Sequence, residues 1–222
     1  MTEALHRSIT FPGPAGQIEG LLWMPARPNP PIAAVVCHPH PLFGGSMHNK
    51  VVYQVARTLD RLGVPTLRFN FRGVGRSGGN HDRGRGEQDD VRAALDRLAA
   101  ELTGTPLLVA GFSFGCWVGL RVGCEDERVT ELIGLGAPVN NSYLDYLASC
   151  EKPRLLVQGE NDQYGSPKKL DQLVESFPVK VREMTRLVIV PGADHFFAGL
   201  LDRVDVAITE WLDARHPEIA AR

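Results

Sequence analysis

The chain has 222 residues, of which 43% are hydrophobic and 23% charged, with a formal net charge of −2. One domain spanning 1–222 with a sizeable buried core is expected, and an intrinsically disordered chain is excluded. The charge balance gives no electrostatic basis for nucleic acid or an anionic membrane as partner. No apolar run approaches the roughly 18 residues of a membrane-spanning helix. Residues 1–11 carry Glu3, His6 and Arg7 and no apolar stretch, unlike a secretory signal. Cys37, Cys116, Cys124 and Cys150 show no C-x-x-C spacing, so a cytoplasmic protein with reduced thiols is expected.

Residues 8–11 and 17–24 read as strands joined by a turn at 12–16. The unbroken apolar run 32–37 suits a strand buried on both faces. A loop rich in His, Pro and Gly follows, then a helix from about Asn49 to Leu62. The next strand is 65–71, followed by a glycine- and charge-rich loop over 73–86 and a helix over 87–102. A strand at 107–111 runs through Phe112–Gly115 into a helical stretch at 116–123. Short apolar runs at 131–135, 154–158 and 186–190 are three further strands. Helices fit 168–176 and 201–215. Alternating strands and helices imply an α/β fold, a mainly parallel sheet with helices on both faces. Chemistry in such sheets sits at the carboxyl ends of strands, so a catalytic residue should come just after one.

Gly111-Phe112-Ser113-Phe114-Gly115 matches G-x-S-x-G between an apolar strand and a helix, the setting of a nucleophile elbow. Its serine occupies a strained turn, so the residues two before and two after it must lack bulk, and both are Gly. The turn places the Ser113 oxygen at a helix N-terminus, where free N–H groups favour an oxyanion. A serine hydroxyl needs a positioned base. His195 follows directly after the strand at 187–190. Asp162 follows the strand at 154–158 and would orient the His195 ring. Its rivals are Glu160, the stronger, with Asn161 and Asp194. Asp194 adjoins His195 and would not reach its ring. His6 and His216 are expected to be solvent-exposed.

Cys37-His38-Pro39-His40-Pro41-Leu42-Phe43-Gly44-Gly45 follows the central apolar strand, where a second oxyanion donor is expected. Pro39 and Pro41 have no N–H, so His38, His40, Leu42 or a later residue must supply it; His40 is favoured, with Phe114 supplying the other. His38, His40 and His48 lack a further ligand at motif spacing, so no metal is expected and His38 reads as a structural histidine under the loop. Gly73-Val74-Gly75-Arg76-Ser77-Gly78 is a literal G-x-G-x-x-G. It continues into a loop rather than a helix, and Asp96 falls inside a helix, so it does not read as a dinucleotide site and no cofactor is expected. Cys37 and His38 point to opposite faces of their strand, and Cys116 is expected to pack within its helix, so neither reads as a nucleophile.

VVCHPHP, NFRGVGRSGG, GFSFG, GEND and GADHFF, in this order, make the chain resemble the α/β-hydrolase superfamily, nearest the small lidless bacterial serine hydrolases grouped with dienelactone hydrolases. The likeness covers residues 8 to about 212. It implies an eight-stranded, mostly parallel sheet with the second strand antiparallel. It also implies a Ser113–Asp162–His195 triad acting through an acyl-enzyme. Three features depart from the pattern: His38-Pro39 stands in place of His-Gly, a serine stands where dienelactone hydrolases use cysteine, and Pro167 comes one position late. Residues 138–153 are too few for a folded cap, which implies an open site and a short-chain ester as the small-molecule partner. Phe43, Tyr164 and Phe196 are expected to bind substrate, with Phe112, Phe114 and Tyr143 as further wall candidates. Thioesterase or peptidase activity, or a non-catalytic scaffold serving as a binding module, remain alternatives, as do monomer and homodimer.

Overall fold

The computed structural model describes residues 5–26, 29–141 and 144–220. A single sheet of eight strands runs in the order β1-β2-β4-β3-β5-β6-β7-β8. These are β1 (Leu5–Gly13), β2 (Gly16–Met24), β3 (Ala33–Cys37), β4 (Thr66–Phe69), β5 (Leu107–Phe112), β6 (Val129–Leu135), β7 (Arg154–Gly159) and β8 (Thr185–Val190). β2 pairs antiparallel with both β1 and β4, and every pairing from β4 to β8 is parallel.

The unbroken apolar runs have a direct cause. Every residue of β3 and of β5 is buried, because both faces of the central strands are covered. Alternate residues serve opposite cores. Ala34, Val36, Leu108 and Ala110 pack under α1 (Lys50–Arg61) and α6 (Leu201–Arg215), whereas Ala33, Val35, Leu107 and Val109 pack under α2 (Arg85–Glu101) and α3 (Phe114–Glu125). The remaining helices are α4 (Pro167–Glu175), α5 (Val179–Glu183) and α7 (Pro217–Ala220).

Helix starts differ from the sequence expectation for local reasons. Asn49 is a cap, its side chain accepting the Val51 N–H at 2.9 Å, so α1 begins one residue later. α2 begins at Arg85, before the expected 87, because the Glu87 carboxylate reaches back to the Gly84 N–H at 2.8 Å. The short α5 and α7 were not expected. His216 is a correction: it is not a free tail residue. Its Nε2 lies 3.1 Å from Oε1 of the buried Glu131 on β6, beside the Arg215 Nε contact at 2.6 Å. A carboxylate under the sheet needs such partners, and α7 covers them with Ile219 fully buried.

The glycine loop after β4 folds onto the β1–β2 hairpin. The Gly73 N–H donates to Gly78 O at 3.1 Å, and the Gly78 N–H to Gln17 O at 2.8 Å. Asp96 lies on the surface and pairs with Arg128 at 2.8 Å. The stretch 136–153 holds only single-turn helices among its described residues, Val139–Asn141 and Asp145–Ser149. No helix among the described residues is long and apolar enough to cross a membrane.

Candidate active site

β5 ends at Phe112 and α3 starts at Phe114, leaving Ser113 alone in the turn at φ 56°, ψ −116°. Such a conformation costs a non-glycine residue about 1–3 kcal/mol and persists only where its surroundings over-determine it. Here they do. The Ser113 N–H donates to Leu135 O at 2.9 Å and its carbonyl accepts the Trp117 N–H at 3.1 Å. A Cβ at Gly111 would stand 2.2 Å from the Gly115 carbonyl oxygen, and one at Gly115 would stand 2.4 Å from the Cys37 oxygen. The flanking glycines are therefore the condition for β3, β5 and α3 to meet behind the serine.

Ser113 Oγ lies 3.0 Å from His195 Nε2, and His195 Nδ1 lies 2.7 Å from Asp162 Oδ2. With Nδ1 donating to the carboxylate, Nε2 is the acceptor facing the serine hydroxyl. His195 and Asp162 are both buried. Asp162 is saturated with donors: Oδ1 accepts the Tyr164 and Gly165 N–H groups at 2.8 and 2.9 Å, and Oδ2 also accepts Gln158 Nε2–H at 2.8 Å. Glu160 points elsewhere, accepting the Gly192 N–H at 2.8 Å. Asp194 shapes its own turn, accepting from the Phe196 and Ala198 amides at 3.0 Å each.

Gln158 is a positioning residue that the sequence reading missed. It is fully buried at the end of β7. Its Oε1 accepts the Ala137 N–H at 2.8 Å, and Nε2 donates to Gly165 O at 2.8 Å as well as to Asp162. One amide thus ties the loops after β6 and β7 to the carboxylate. The available signal was a polar residue following the apolar Leu155–Val157 run just before the strand end.

The loop after β3 packs as expected around His38, whose ring is buried, accepts the Phe71 N–H at Nε2 (3.0 Å) and donates from Nδ1 to Pro39 O (2.6 Å). Burial pushes its pKa down to about 4, keeping it neutral. His40 folds the loop around itself. Its Nδ1 accepts the Leu42 N–H at 3.2 Å, and its carbonyl accepts the Phe43 and Gly45 N–H groups at 3.1 Å each. Those three amides are consumed within the loop. The amide of Phe114, first in α3, has no acceptor within its helix. Burial and nearby His81 hold His40 below the ordinary histidine range. Cys37 and Cys116 are wholly buried, which raises both thiol pKa values and leaves them inert.

A cleft of about 540 Å³ opens over Ser113 and His195. Phe43, Tyr164, Phe196, His40 and Phe114 all line it, as do His81, Arg83, Trp117 and Asn49, which the sequence reading did not place there. The Tyr164 and Phe196 rings flank His195 at 4.7 and 5.1 Å between centroids. Phe112 is a correction: it is buried beneath the His195 ring, 5.0 Å between centroids, and is no part of the wall. Tyr143 lies outside the described residues.

Residues 34–215 match the model of a family described as an alpha/beta hydrolase domain. The uncharacterized protein RP471 of Rickettsia prowazekii is 38% identical over 209 residues, covering 92% of this chain and 87% of that protein. An alpha-beta serine hydrolase homologue from Coxiella burnetii is similar in structure, with a TM-score of 0.85, 34% identity, and coverage of 92% of this chain and 96% of that one. XC6422 from Xanthomonas campestris, an a/b serine hydrolase without lid, gives a TM-score of 0.84 at 34% identity, covering 96% of this chain and 95% of that one.

Proposed function

From a chain that belongs to the alpha/beta hydrolase family, we propose a serine hydrolase that cleaves a small carboxylic ester through an acyl-enzyme. The observation that carries this reading is the continuous chain of contacts from Ser113 Oγ to His195 (3.0 Å) and from His195 to Asp162 (2.7 Å). In it, Ser113 attacks the ester carbonyl while His195 Nε2 takes its proton. Asp162 holds the ring in the tautomer that leaves Nε2 free and stabilises the imidazolium. The backbone N–H groups of Phe114 and His40 receive the oxyanion. For Phe114, the free first amide of α3 supports the role; for His40, the consumption of the Leu42, Phe43 and Gly45 amides within the loop does. His195 then protonates the leaving alcohol, and water admitted through the open cleft releases the acid. Phe43, Tyr164 and Phe196 contact the substrate. The short stretch after β6 leaves the cleft uncovered, which favours small esters.

The test is labelling by a fluorophosphonate, the adduct mapped by mass spectrometry, alongside turnover of acetate and butyrate esters. Labelling at Ser113 that disappears with turnover in Ser113→Ala is the expected result. A folded protein with no label at Ser113 removes the hydrolase reading and favours a non-catalytic binding scaffold.

A further inference from the structure

Among the described residues, the cleft wall formed after β4, which the strand order sets across Ser113 from His195, carries one cation, Arg83, and no acidic side chain lines the cleft. Other arginines of the same loop region are neutralised: Arg72 by Asp90 and Arg76 by Glu19, both at 2.9 Å. Among the described residues Arg83 has no ion-pair or hydrogen-bond partner. A cationic head on a cleft wall with no counter-charge attracts an anion.

Its backbone is held in place by its neighbours. Arg83 adopts φ 53°, a conformation disfavoured for a non-glycine residue. The amides on either side of it, Asp82 and Gly84, both donate to the fully buried Glu87 carboxylate at 2.8 Å, one to each oxygen. His81 Nδ1 lies 2.7 Å from the same carboxylate. Gly84 is pressed against Trp117, where a Cβ would stand 2.5 Å from the indole ring. The loop thus fixes the position from which the Arg83 side chain starts.

The placement also says which half of an ester would meet it. On the mechanism above, the leaving alcohol must lie beside His195, against Tyr164 and Phe196. Arg83 belongs to the other wall, with His81 5.6 Å from the Phe114 ring and Gly84 packed on Trp117. That wall faces the acyl group.

We propose that the acyl half of the substrate ends in a carboxylate bound by Arg83, so that the enzyme cleaves short monoesters of dicarboxylic acids. This deepens the hydrolase reading and rests on it. Ser113 Oγ forms a bond to the acyl carbon, the bond to the alcohol oxygen breaks, and the serine proton passes through His195 to that oxygen. Water then adds to the acyl-enzyme and releases the dicarboxylate.

The experiment compares the monoethyl esters of succinate, glutarate and adipate with neutral ethyl esters in which an isopropyl group replaces the free carboxylate. Turnover is followed in a pH-stat with wild type, Arg83→Gln and Arg83→Lys, all checked for folding by urea unfolding. A charge-assisted contact predicts a kcat/KM preference for at least one acid monoester of about 10- to 100-fold. That preference should shrink to near unity in Arg83→Gln, be partly kept in Arg83→Lys, and weaken in wild type as salt rises to 1 M. Equal rates for the paired esters at every length, or a preference that survives Arg83→Gln, overturn the proposal while leaving Ser113 labelling intact. Should Ser113 not label, the hydrolase reading falls separately. Calorimetric binding of monoethyl glutarate, its neutral counterpart as control, then decides whether Arg83 holds an anion.

Discussion

His38 ties the fold to acid stability through the site's own loop. Its neutral ring bridges the Phe71 N–H and the Pro39 carbonyl with no access to water. Its pKa is about 4 in the folded chain against an ordinary value of 6.5. A lowered histidine pKa favours the folded state above the unfolded pKa, and that contribution is lost as pH falls, because the unfolded chain takes up the proton first. Stability therefore declines between pH 6.5 and 4. At 1.36 kcal/mol per unit the full loss is about 3 kcal/mol, a large share of a typical 5–15 kcal/mol. His38→Gln puts an amide oxygen near the Nε2 position to accept the Phe71 N–H and removes the titration. At pH 7 it should be less stable than wild type by about 1–3 kcal/mol, for an imperfect replacement of buried hydrogen bonds. That deficit should shrink by about 3 kcal/mol as pH falls to 4. His216, whose pKa is raised chiefly by its hydrogen bond to Glu131, acts in the opposite sense: its stabilisation is present below 6.5 and lost above. It is common to both proteins and cancels in the difference. Urea unfolding followed by tryptophan fluorescence at half-unit pH steps measures the gap. A gap that stays constant from pH 7 to 4 would refute the account, because the ring would then titrate alike in both states.

Three further outcomes follow from the same contacts. Gln158→Leu leaves the Ala137 N–H and Gly165 carbonyl unpaired and strips one donor from Asp162; stability should fall by about 2–6 kcal/mol in urea unfolding, and kcat should drop at least about 10-fold at nearly constant KM, a split that loss of packing alone would not give. Gly115→Ala forces a methyl onto the Cys37 carbonyl, parting β3 from α3; a loss of more than about 3 kcal/mol is expected, with slowed fluorophosphonate labelling. Arg72→Met leaves the buried Asp90 carboxylate without its two-pronged partner; thermal unfolding should report about 3–5 kcal/mol of destabilisation, and a smaller loss would mean that water reaches Asp90.

The chain order of strands and helices could be read directly because each central strand is buried on both faces and so spells an unbroken apolar word, as residues 33–37 and 107–112 do. The rule that chemistry follows strand ends then picked out Ser113, Asp162 and His195, which the fold brings together. The same rule applied to β4 would have drawn the loop at 73–86 into the site. In the sequence that segment reads only as a nucleotide motif, which fails because it runs into a loop and not a helix, and chain order does not reveal that β4 lies beside β3. Hence His81 and Arg83 were missed. Phe112 was misassigned for a simpler reason: inside a buried strand, an aromatic adjacent to the nucleophile can face the core or the cleft, and the pattern alone gives no sign. His216 was misread because its partner Glu131 lies near the start of β6, where a charged residue reads as a solvent-facing strand end, so nothing local announces a buried carboxylate.

A common device fixes the site's loops. Each is held by a buried polar group saturated by backbone partners: His38 for the loop after β3, Glu87 for the loop after β4, Asp162 with Gln158 for the loop after β7. Buried polar groups are costly when half-satisfied and rigidifying when fully satisfied. Loops built this way gain a single geometry without a lid to press on them, which suits an open cleft whose reacting atoms must be prepositioned before substrate arrives. The arrangement also makes the loop after β3 a weak point under acid, since protonating His38 cancels the acceptor on which the Phe71 N–H depends. Loss of activity should therefore precede loss of helical signal as pH falls, measured by turnover and far-ultraviolet circular dichroism on the same samples. Coincident loss of both would mean that the loops and the sheet unfold as one unit.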